Sequence, residues 1–252
     1  FVDEEGETAQ IGQYMTFEME LVGKDTILSS TYQSGQPILT PVQEANFNGG
    51  IEEGLTLLSV GDSAVFKVSM DSLFKGRMDQ IPPELGDLTH LTYRIKVLKI
   101  QSEEDLKAEQ EAKAAEQKNA DDRKIQDYLS ENDINASKTE SGIYYVITEE
   151  GNGENPSLQN QVTVHYTGKL LNGNVFDSSK PGVGPRPVSG EPVTFPLSGV
   201  VKGWQEGIPL LEKGGSGTLY IPSHLGYGEQ GAGADIPPNS VLVFDVELID
   251  FK

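Results

Sequence analysis

The sequence predicts an α+β protein, with two β-rich domains of similar organisation joined by a long charged helix. Three observations predict this class. Short alternating or β-branched runs, separated by the glycine and asparagine typical of turns, occupy both ends of the chain. A highly charged segment without proline lies between them. Motifs of the first end recur in the same order in the second, as expected for a duplicated domain.

The strand-like runs fall within residues 1–101 and 140–252, which are the predicted bounds of the two domains. Each domain also has one short helical patch that begins after a glycine. Period-two runs bounded by turn residues are typical of strands. The runs are Tyr14–Leu21, Ala64–Val68 and Leu91–Ile100 in the first domain, and Val162–Tyr166, Thr218–Ile221 and Val241–Ile249 in the second.

Residues 102–139 are predicted to form a helical linker. Residues 101–150 carry 14 acidic and 6 basic side chains and no proline, and Ser102–Leu129 is rich in the strong helix formers Glu, Lys, Ala and Gln. Ser102 is a suitable N-cap, and the acidic residues after it complement the helix dipole. Because apolar residues are sparse before Ile125, we expect most of this helix to be exposed. A dimerising coiled coil is the alternative, but no sustained heptad repeat supports it.

Four short motifs of the first domain have counterparts in the second. They comprise a strand end, a helical patch after a glycine, an Ile-Pro-Pro loop and the start of a late strand. The pairs are Thr26–Ser30 with Val175–Ser179, Gly50–Leu55 with Gly203–Ile208, Ile81–Pro83 with Ile236–Pro238, and Leu91–Ile95 with Leu242–Val246. Their common order predicts that the domain has been duplicated.

Composition and charge exclude several classes of function. The formal net charge is −20, from 19 basic and 39 acidic residues, and so negative a protein repels nucleic-acid phosphates and anionic lipids. No apolar run approaches the roughly 18 residues that a membrane-spanning helix needs. The chain has no cysteine, which excludes disulfides, cysteine-ligated zinc and thiol catalysis and is compatible with either redox compartment.

The sequence shows no familiar catalytic or metal-binding motif. His90, His165 and His224 are far apart, and there is no HExxH, GxSxG or P-loop pattern. His165 lies in a predicted strand, where we expect a structural role. The acidic pair Asp121–Asp122 is expected on the solvated surface of the helix. We therefore predict no metal and no cofactor, and any catalysis must proceed without covalent chemistry.

Aromatic residues and glycine-rich loops concentrate in the second domain. Tyr227 lies between two glycines, which allow a ligand or another backbone to approach closely, so we expect it to face a site. For Phe176 and Phe244, burial in the core is an alternative interpretation. The aromatic residues in or beside strand ends and loops are Tyr166, Phe176, Trp204, Tyr227 and Phe244, and Trp204 is the only tryptophan.

Several segments of the second domain form a specific set of motifs, namely Val162–Leu170, Gly173–Ser179, Val200–Gly207, Tyr227–Asn239 and Leu242–Leu248. Together they resemble the FKBP-type peptidyl-prolyl isomerases, and the resemblance covers residues 140–252. It implies a half-barrel antiparallel sheet wrapped around a short helix, in both copies of the domain. It also implies cis/trans interconversion of X-Pro bonds in a pocket between helix and sheet.

The resemblance further implies roles for individual residues. Trp204 is expected to form the floor under the proline ring, while the Val201 N–H and the Tyr227 hydroxyl donate hydrogen bonds to substrate carbonyls. Asp177 is expected to be the polar group of an apolar wall, with Arg186 as its candidate partner. The expected catalytic residues are Tyr166, Phe176, Asp177, Trp204, Tyr227 and Phe244, and the expected substrate-binding residues are Val193, Val200, Val201 and Ile236. In the loop Gly228–Asp235, the side chains of Ala232 and Asp235 are expected to influence substrate preference.

The first copy keeps apolar residues at the corresponding positions but lacks the site. The counterparts are Ile51 for Trp204, Leu28 for Asp177, Ile27 for Phe176, Met19 for Tyr166, Phe74 for Tyr227 and Tyr93 for Phe244. Since the polar wall and the tryptophan floor are missing, we predict a degenerate domain with little or no isomerase activity. A spacer, dimerisation or partner-binding module, a holder of apolar client segments and residual catalysis are the roles left open.

The main functional hypothesis is a peptidyl-prolyl isomerase that assists the folding of client proteins. The alternative is a non-catalytic chaperone or binding module for apolar or proline-containing segments. Expected partners are proline-containing peptides and unfolded client proteins, with macrolide inhibitors implied by the resemblance, and no nucleic acid; homodimerisation is a further option. Acidic charge, absent cysteine and a start at Phe1 rather than Met resemble exported FKBPs of Gram-negative bacteria. We therefore expect a periplasmic or lipid-anchored envelope protein with a segment missing upstream of Phe1.

Overall fold

The chain folds into two compact units, the first ending at Glu111 and the second spanning Ala112–Lys252. The computed structural model describes residues 6–24, 26–75, 77–185 and 188–252, without the side chains of residues 78 and 84. Both units contain an antiparallel sheet and short helices, which confirms the predicted α+β class. The two units divide within the long helix. The predicted bounds 1–101, 102–139 and 140–252 stay a prediction.

The first unit is built on a five-stranded antiparallel sheet in the order β2-β1-β5-β4, with β3 also paired to β1. Met15 and Phe17 alternate with less buried neighbours along β1, so both face the core, where they pack with Leu55, Ile95 and Val97. The elements are β1 (Tyr14–Gly23), β2 (Thr26–Ser30), α1 (Thr31–Ser34), β3 (Ile38–Pro41), α2 (Ile51–Leu55), β4 (Ser63–Ser69), α3 (Met70–Leu73) and β5 (His90–Gln101), with 3-10 turns at Met78–Gln80 and Pro83–Leu85, and the long helix α4 (Glu103–Glu131) follows β5.

The second unit has a seven-stranded antiparallel sheet in the order β10-β8-β12-β11-β7-β6, with β9 also paired to β8. Its core joins Trp204 and Ile208 to strand residues such as Val164, Leu219 and Leu248. The elements are β6 (Ser137–Lys138), β7 (Tyr144–Glu149), β8 (Gln161–Leu170), β9 (Val175–Ser178), β10 (Val193–Pro196), α5 (Lys202–Gly207), β11 (Ser216–Ile221) and β12 (Leu242–Phe251), with 3-10 turns at Leu197–Gly199, Ile208–Leu210, Ser223–Leu225 and Gly228–Gln230.

The two sheets repeat one arrangement of strands, which supports the duplication inferred from the motifs. The neighbours β1-β5-β4 of the first sheet correspond to β8-β12-β11 of the second. The pairing register slips at the same place in both, leaving Leu98 of β5 and Ile249 of β12 without a direct partner. A conserved irregularity of this kind is expected when two sheets descend from one pattern.

The beginning of α4 forms as predicted. The hydroxyl of Ser102 accepts the N–H of Asp105 at 3.0 Å and so caps the helix. From Glu103 to Glu116 nearly all side chains are exposed, in agreement with the predicted solvated helix. None of the described helices, α4 included, is both long and apolar enough to cross a membrane.

The later part of α4 belongs to the core of the second unit. Asp121, Ile125 and Leu129 are all buried, and since they lie four residues apart they share one face of the helix. Ile125 and Leu129 pack against Tyr220 and Val243 of the sheet. The expectation of an exposed helix therefore holds only for its first half.

The expectation of a solvated position is wrong for Asp121, whereas Asp122 keeps part of its surface exposed. Asp121 is fully buried and accepts hydrogen bonds from the Ser223 N–H at 2.8 Å and the Ser223 hydroxyl at 2.5 Å. Asp122 accepts hydrogen bonds from the Tyr144 hydroxyl at 2.9 Å and the Lys138 ammonium at 2.5 Å. Burial acts to raise the pKa of Asp122, but these two donors outweigh it and hold that pKa below its ordinary value.

Replacing Ile125 by alanine is expected to destabilise the second unit by about 2–5 kcal/mol, because a buried side chain is lost from a packed cluster. The measurement is chemical unfolding of the full chain followed by the fluorescence of Trp204, the only tryptophan. Arg123→Ala, at an exposed position two residues away, is the control and should change the unfolding free energy by less than about 0.5 kcal/mol. Equal midpoints for the two variants would show that α4 is not part of this core.

Candidate active site

A cavity of about 540 Å³ lies between α5 and strands β8, β9, β10 and β12 of the second unit. The structure brings the whole predicted set of site residues together around it, while the roles of these residues stay a prediction. The predicted residues in the lining are Tyr166, Phe176, Asp177, Val193, Val200, Val201, Trp204, Tyr227, Ile236 and Phe244.

Trp204 lies at the centre of an aromatic cluster. The centroid of its ring is 4.9 Å from that of Phe244 and 5.1 Å from that of Tyr166, with the rings nearly perpendicular in both pairs. Phe195 lies 5.3 Å from Trp204, and Phe176 meets Phe244 edge-on at 5.6 Å. Each edge-to-face pair contributes about 0.5–1.5 kcal/mol beyond the burial of its area, so the contacts hold the rings in one mutual orientation.

The start of α5 places Trp204 in the cavity. Val201 is the N-cap residue, and its carbonyl accepts the N–H of Trp204 at 2.9 Å and that of Gln205 at 3.2 Å. The Gln205 side chain turns back and donates to the Val200 carbonyl at 2.8 Å, which fixes the backbone of both lining valines. The indole N–H of Trp204 is buried and has no acceptor among the described residues, which is rare for a buried donor.

Asp177 is held by two donors within the wall of the cavity. Its Oδ2 accepts the Tyr166 hydroxyl at 2.7 Å, and its Oδ1 accepts the Ser178 N–H at 3.0 Å. The Ser179 hydroxyl accepts the N–H of Tyr166 at 2.9 Å, so both the backbone and the ring of Tyr166 are oriented. Arg186, the predicted partner of Asp177, lies outside the described residues.

Gly168 of β8 allows the rings of Phe176 and Phe244 to meet. A β-carbon at this position would lie 2.6 Å from the Phe176 ring and 2.7 Å from the Phe244 ring, which is closer than packed atoms come. Gly168 belongs to one of the family-like motifs, but its structural role is visible only in the fold.

Tyr227 and the loop after it form an exposed rim. Tyr227 keeps 41% of its surface exposed, whereas Ile236 is buried. Gly231 has a φ of 63°, and a β-carbon there would lie 2.3 Å from the Ile236 carbonyl oxygen, so only glycine fits this turn. Ala232 pairs with Ile236 across the loop. Ala232 and Asp235 both line the cavity, which is where an effect on substrate preference requires them.

Three lining residues were missed by the sequence reasoning, namely Phe195, Gly199 and Gly233. Phe195 follows Val193 by two residues on β10, so the period of a strand places both on one face. That alternation was the available signal for Phe195. The two glycines carry no side-chain signal.

The histidines described in the second unit lie outside the lining of the cavity. His165 Nδ1 is 3.1 Å from the Ser179 hydroxyl, as its predicted structural role requires. Burial, and after it the charge of Lys118, lower the pKa of His224 below its ordinary value. Within the described ranges, no three histidine, aspartate or glutamate side chains form a group that could hold a metal ion.

Comparison with known proteins identifies the family. A model of the FKBP-type peptidyl-prolyl cis-trans isomerases matches residues 152–249, the range that contains the cavity. A protein of Neisseria meningitidis serogroup B, named as a probable FKBP-type peptidyl-prolyl cis-trans isomerase FkpA, is 38% identical over 220 residues, which cover 82% of this chain and 74% of the relative. The chain belongs to the FKBP-type peptidyl-prolyl cis-trans isomerases.

Further members of the FKBP family are also similar. The FKBP-type 22 kDa isomerase of Escherichia coli is 46% identical over 125 residues, or 49% of this chain and 57% of the relative. The crystal structure of FkpA from Escherichia coli is 38% identical, covers 60% of this chain and 68% of that chain, and has a TM-score of 0.46. The predicted resemblance, and with it the activity of a peptidyl-prolyl isomerase, is confirmed by the sequence matches.

In the first FKBP-like unit, hydrogen bonds confirm one predicted counterpart of the site. The Thr31 hydroxyl accepts the N–H of Met19 at 2.8 Å, just as the Ser179 hydroxyl accepts that of Tyr166 in the second unit. Met19 therefore stands where Tyr166 stands, as predicted.

Two other counterparts shift by one residue. In the first unit, Ser29 pairs with Leu21 of β1, and Leu28 is not paired with any residue of β1. In the second unit, Asp177 pairs with Gly168 of β8, and Phe176 is not paired with any residue of β8. Ser29 thus corresponds to Asp177 and Leu28 to Phe176, and the predicted pairs with Leu28 and Ile27 are wrong. The first hairpin is one residue shorter than the second, whereas the predicted pairs imply that it is two residues shorter. Leu28 is 42% exposed where Phe176 is 6% exposed, so it does not form the same wall.

Replacing Gly168 by alanine is expected to displace the Phe176 and Phe244 rings and lower the unfolding free energy of the second unit by about 1–3 kcal/mol, because the new methyl group has no room. Chemical unfolding followed by Trp204 fluorescence measures this. Gly199→Ala is the matched control, since a β-carbon there has nothing within 4 Å, and it should leave the midpoint unchanged. A Gly168→Ala protein as stable as the unchanged chain would contradict the close packing of the rings.

Proposed function

We propose that the aromatic cavity of the second unit is the place where this FKBP-type isomerase interconverts cis and trans X-Pro bonds. The observation that carries the proposal is the convergence of all the expected residues on one cavity of about 540 Å³ around a buried tryptophan. This volume falls within the roughly 300–1,000 Å³ of small-ligand sites, which suits a proline and its neighbours.

The composition of the cavity suits a reaction that needs no nucleophile, acid or base. The barrier to rotation of about 18–20 kcal/mol arises from the resonance that keeps the peptide planar. The twisted transition state loses this resonance and its charge separation, so an apolar surrounding favours it over the planar form. The described lining is aliphatic and aromatic apart from glycines, two carboxylates and tyrosine hydroxyls.

The proline ring is assigned to the face of Trp204, the buried aromatic side chain at the centre of the cluster. The N–H of Val201 and the hydroxyl of Tyr227 are assigned as donors to the carbonyls on either side of the proline. Two fixed donors hold the peptide in a bent form before rotation begins, so less freedom is lost at the transition state.

Asp177 is assigned an orienting role. Its carboxylate accepts hydrogen bonds from Tyr166 and Ser178, and the Tyr166 ring meets Trp204 at an interplanar angle of 83°. Asp177 thereby keeps the wall and the floor in register. This role uses the carboxylate as an acceptor and requires no transfer of its proton.

The first unit is proposed to be a degenerate copy with little or no isomerase activity. Support comes from Ile51, the predicted counterpart of Trp204, and from Ser29 and the exposed Leu28 at the positions of Asp177 and Phe176. The side chains that would make a floor and a polar wall are different there.

Substrates are proposed to be proline-containing segments of unfolded client proteins, with macrolide inhibitors competing for the same cavity. An exported location, periplasmic or lipid-anchored in the cell envelope, is proposed as well. Its support is the strongly acidic charge of the chain and the occurrence of similar proteins in Gram-negative bacteria such as Neisseria meningitidis and Escherichia coli.

Tyr227→Phe is expected to lower kcat/KM for a short X-Pro peptide about 2- to 13-fold, because one hydrogen bond of ~0.5–1.5 kcal/mol is lost. A protease-coupled isomerisation assay on the full chain measures the change. Stability should be unaffected, since the ring is kept and the side chain is 41% exposed.

Tyr32→Phe is the matched control, because it removes the hydroxyl of a similarly exposed tyrosine in the first unit. It should leave the rate unchanged. An unchanged rate for Tyr227→Phe would contradict the role of its hydroxyl, and a lower rate for Tyr32→Phe would place activity in the first unit.

A further inference from the structure

We propose that Asp121 of α4 is a positioning residue of the isomerase site and acts on Tyr227 through Ser223. The inference rests on the proposed role of the Tyr227 hydroxyl. It assigns a function to a buried carboxylate that lies outside the cavity and that the mechanism above does not use.

The contact between α4 and Ser223 is buried and completely bonded. Asp121 has no exposed surface and Ser223 is 1% exposed. Oδ2 of Asp121 accepts both the N–H and the hydroxyl of Ser223, at 2.8 and 2.5 Å. Oδ1 accepts the Gln117 side-chain amide at 2.8 Å and lies 3.8 Å from the Lys124 ammonium. With partners on both oxygens, the carboxylate has one fixed orientation, and it fixes the backbone of Ser223.

A single 3-10 turn connects Ser223 to Tyr227. The Ser223 carbonyl accepts the N–H of Gly226 at 2.9 Å, and the Pro222 carbonyl accepts that of Leu225 at 3.0 Å. The Leu225 side chain is buried in the same core cluster as Trp204. Tyr227 follows this turn directly, so the anchor at Ser223 is four residues from a side chain of the cavity rim.

Tyr227 depends on this anchor more than the other aromatic residues of the cavity do. Trp204, Phe176 and Phe244 are at most 6% exposed and are held by the rings around them. Tyr227 is 41% exposed, so packing restricts it less and the placement of its backbone matters more. A donor must be held within about 0.5 Å of the productive geometry to act efficiently.

The carboxylate at position 121 is better explained by a positioning role than by a contribution to stability. Ile125 and Leu129 already attach α4 to the sheet by apolar packing. A buried charge adds little net stability compared with a well-packed apolar side chain, because its desolvation offsets its hydrogen bonds. An acceptor with two fixed lone-pair directions, however, orients the peptide group of Ser223 in a way that an apolar contact does not.

The test is a double-mutant cycle in the full chain with Asp121→Asn, Tyr227→Phe and the double variant, all assayed on one X-Pro peptide. Asp121→Asn keeps the shape of the side chain but weakens its bonds to Ser223, since charge-assisted hydrogen bonds are roughly twice as strong as neutral ones. We expect Asp121→Asn to lower kcat/KM. The reduction should not exceed the one expected for Tyr227→Phe, which is about 2- to 13-fold. The two variants should also divide their reductions between kcat and KM in the same way. In the Tyr227→Phe background, Asp121→Asn should change kcat/KM by less than about 2-fold.

Asp122→Asn is the matched control on the same helix. Asp122 is also a hydrogen-bonded carboxylate, but its donors are Lys138, Tyr144 and Gln126, which do not belong to the Tyr227 turn. We expect this variant to lower thermal stability and to leave kcat/KM within about 2-fold of the unchanged chain. Ser223→Ala removes only the hydroxyl bond, and the same cycle with Tyr227→Phe is run on it if Asp121→Asn does not fold.

If the reductions in kcat/KM of the two single variants multiply in the double variant, the inference is overturned, since Asp121 would then act without Tyr227. Equal losses in Asp121→Asn and Asp122→Asn would overturn it too, because they would reflect attachment of the helix alone. An unchanged kcat/KM in a folded Asp121→Asn protein would also overturn the inference. An inactive unchanged chain would instead overturn the proposed function, so the two failures are distinguishable.

Discussion

The contact between the rings of Trp204 and Phe244 is the interaction on which the site depends. It joins α5 to β12 with perpendicular rings whose centroids are 4.9 Å apart. Tyr166 and Phe195 pack on Trp204, and Phe176 packs on Phe244. Floor and wall are therefore parts of one packed cluster, and since protein interiors are close-packed, a change at one ring displaces the others. The proposed catalysis in this cavity relies on that rigidity, because an apolar cavity acts on a twisting amide only if its shape persists.

Two carboxylates orient groups that the packing of the rings alone does not hold in place. Asp177 orients the Tyr166 hydroxyl in the wall, and Asp121 holds the turn that leads to Tyr227. Neither interaction requires a proton to move, in keeping with a reaction that makes and breaks no bond. The second half of α4 consequently belongs to the unit that contains the cavity, even though its charge and composition are those of a linker.

The motifs of the sequence predict the fold class and the ten-residue pocket because aromatic residues, glycines and prolines at fixed spacing leave a clear pattern. Asp121 escaped prediction because hydrophobic periodicity treats a carboxylate as solvated, and its partner Ser223 is about a hundred residues away in the chain. Phe195 lies outside the motifs that resemble the FKBP family, although its spacing of two residues from Val193 indicated that both side chains share one face of a strand. The counterparts of Phe176 and Asp177 were misplaced because the predicted pairs make the first hairpin two residues shorter than the second, and only strand register reveals that the difference is one residue.

The most direct test of catalysis in this cavity is an NMR titration of the full chain with a short X-Pro peptide. The indole N–H signal of Trp204, the only tryptophan, and the cis/trans exchange of the peptide are recorded in the same samples. We predict a saturable shift of the indole signal together with exchange that accelerates in proportion to protein concentration. Accelerated exchange with an unmoved indole signal would contradict this and place the reaction elsewhere. A saturable shift without acceleration would also contradict it and would leave a binding pocket that holds clients without turnover.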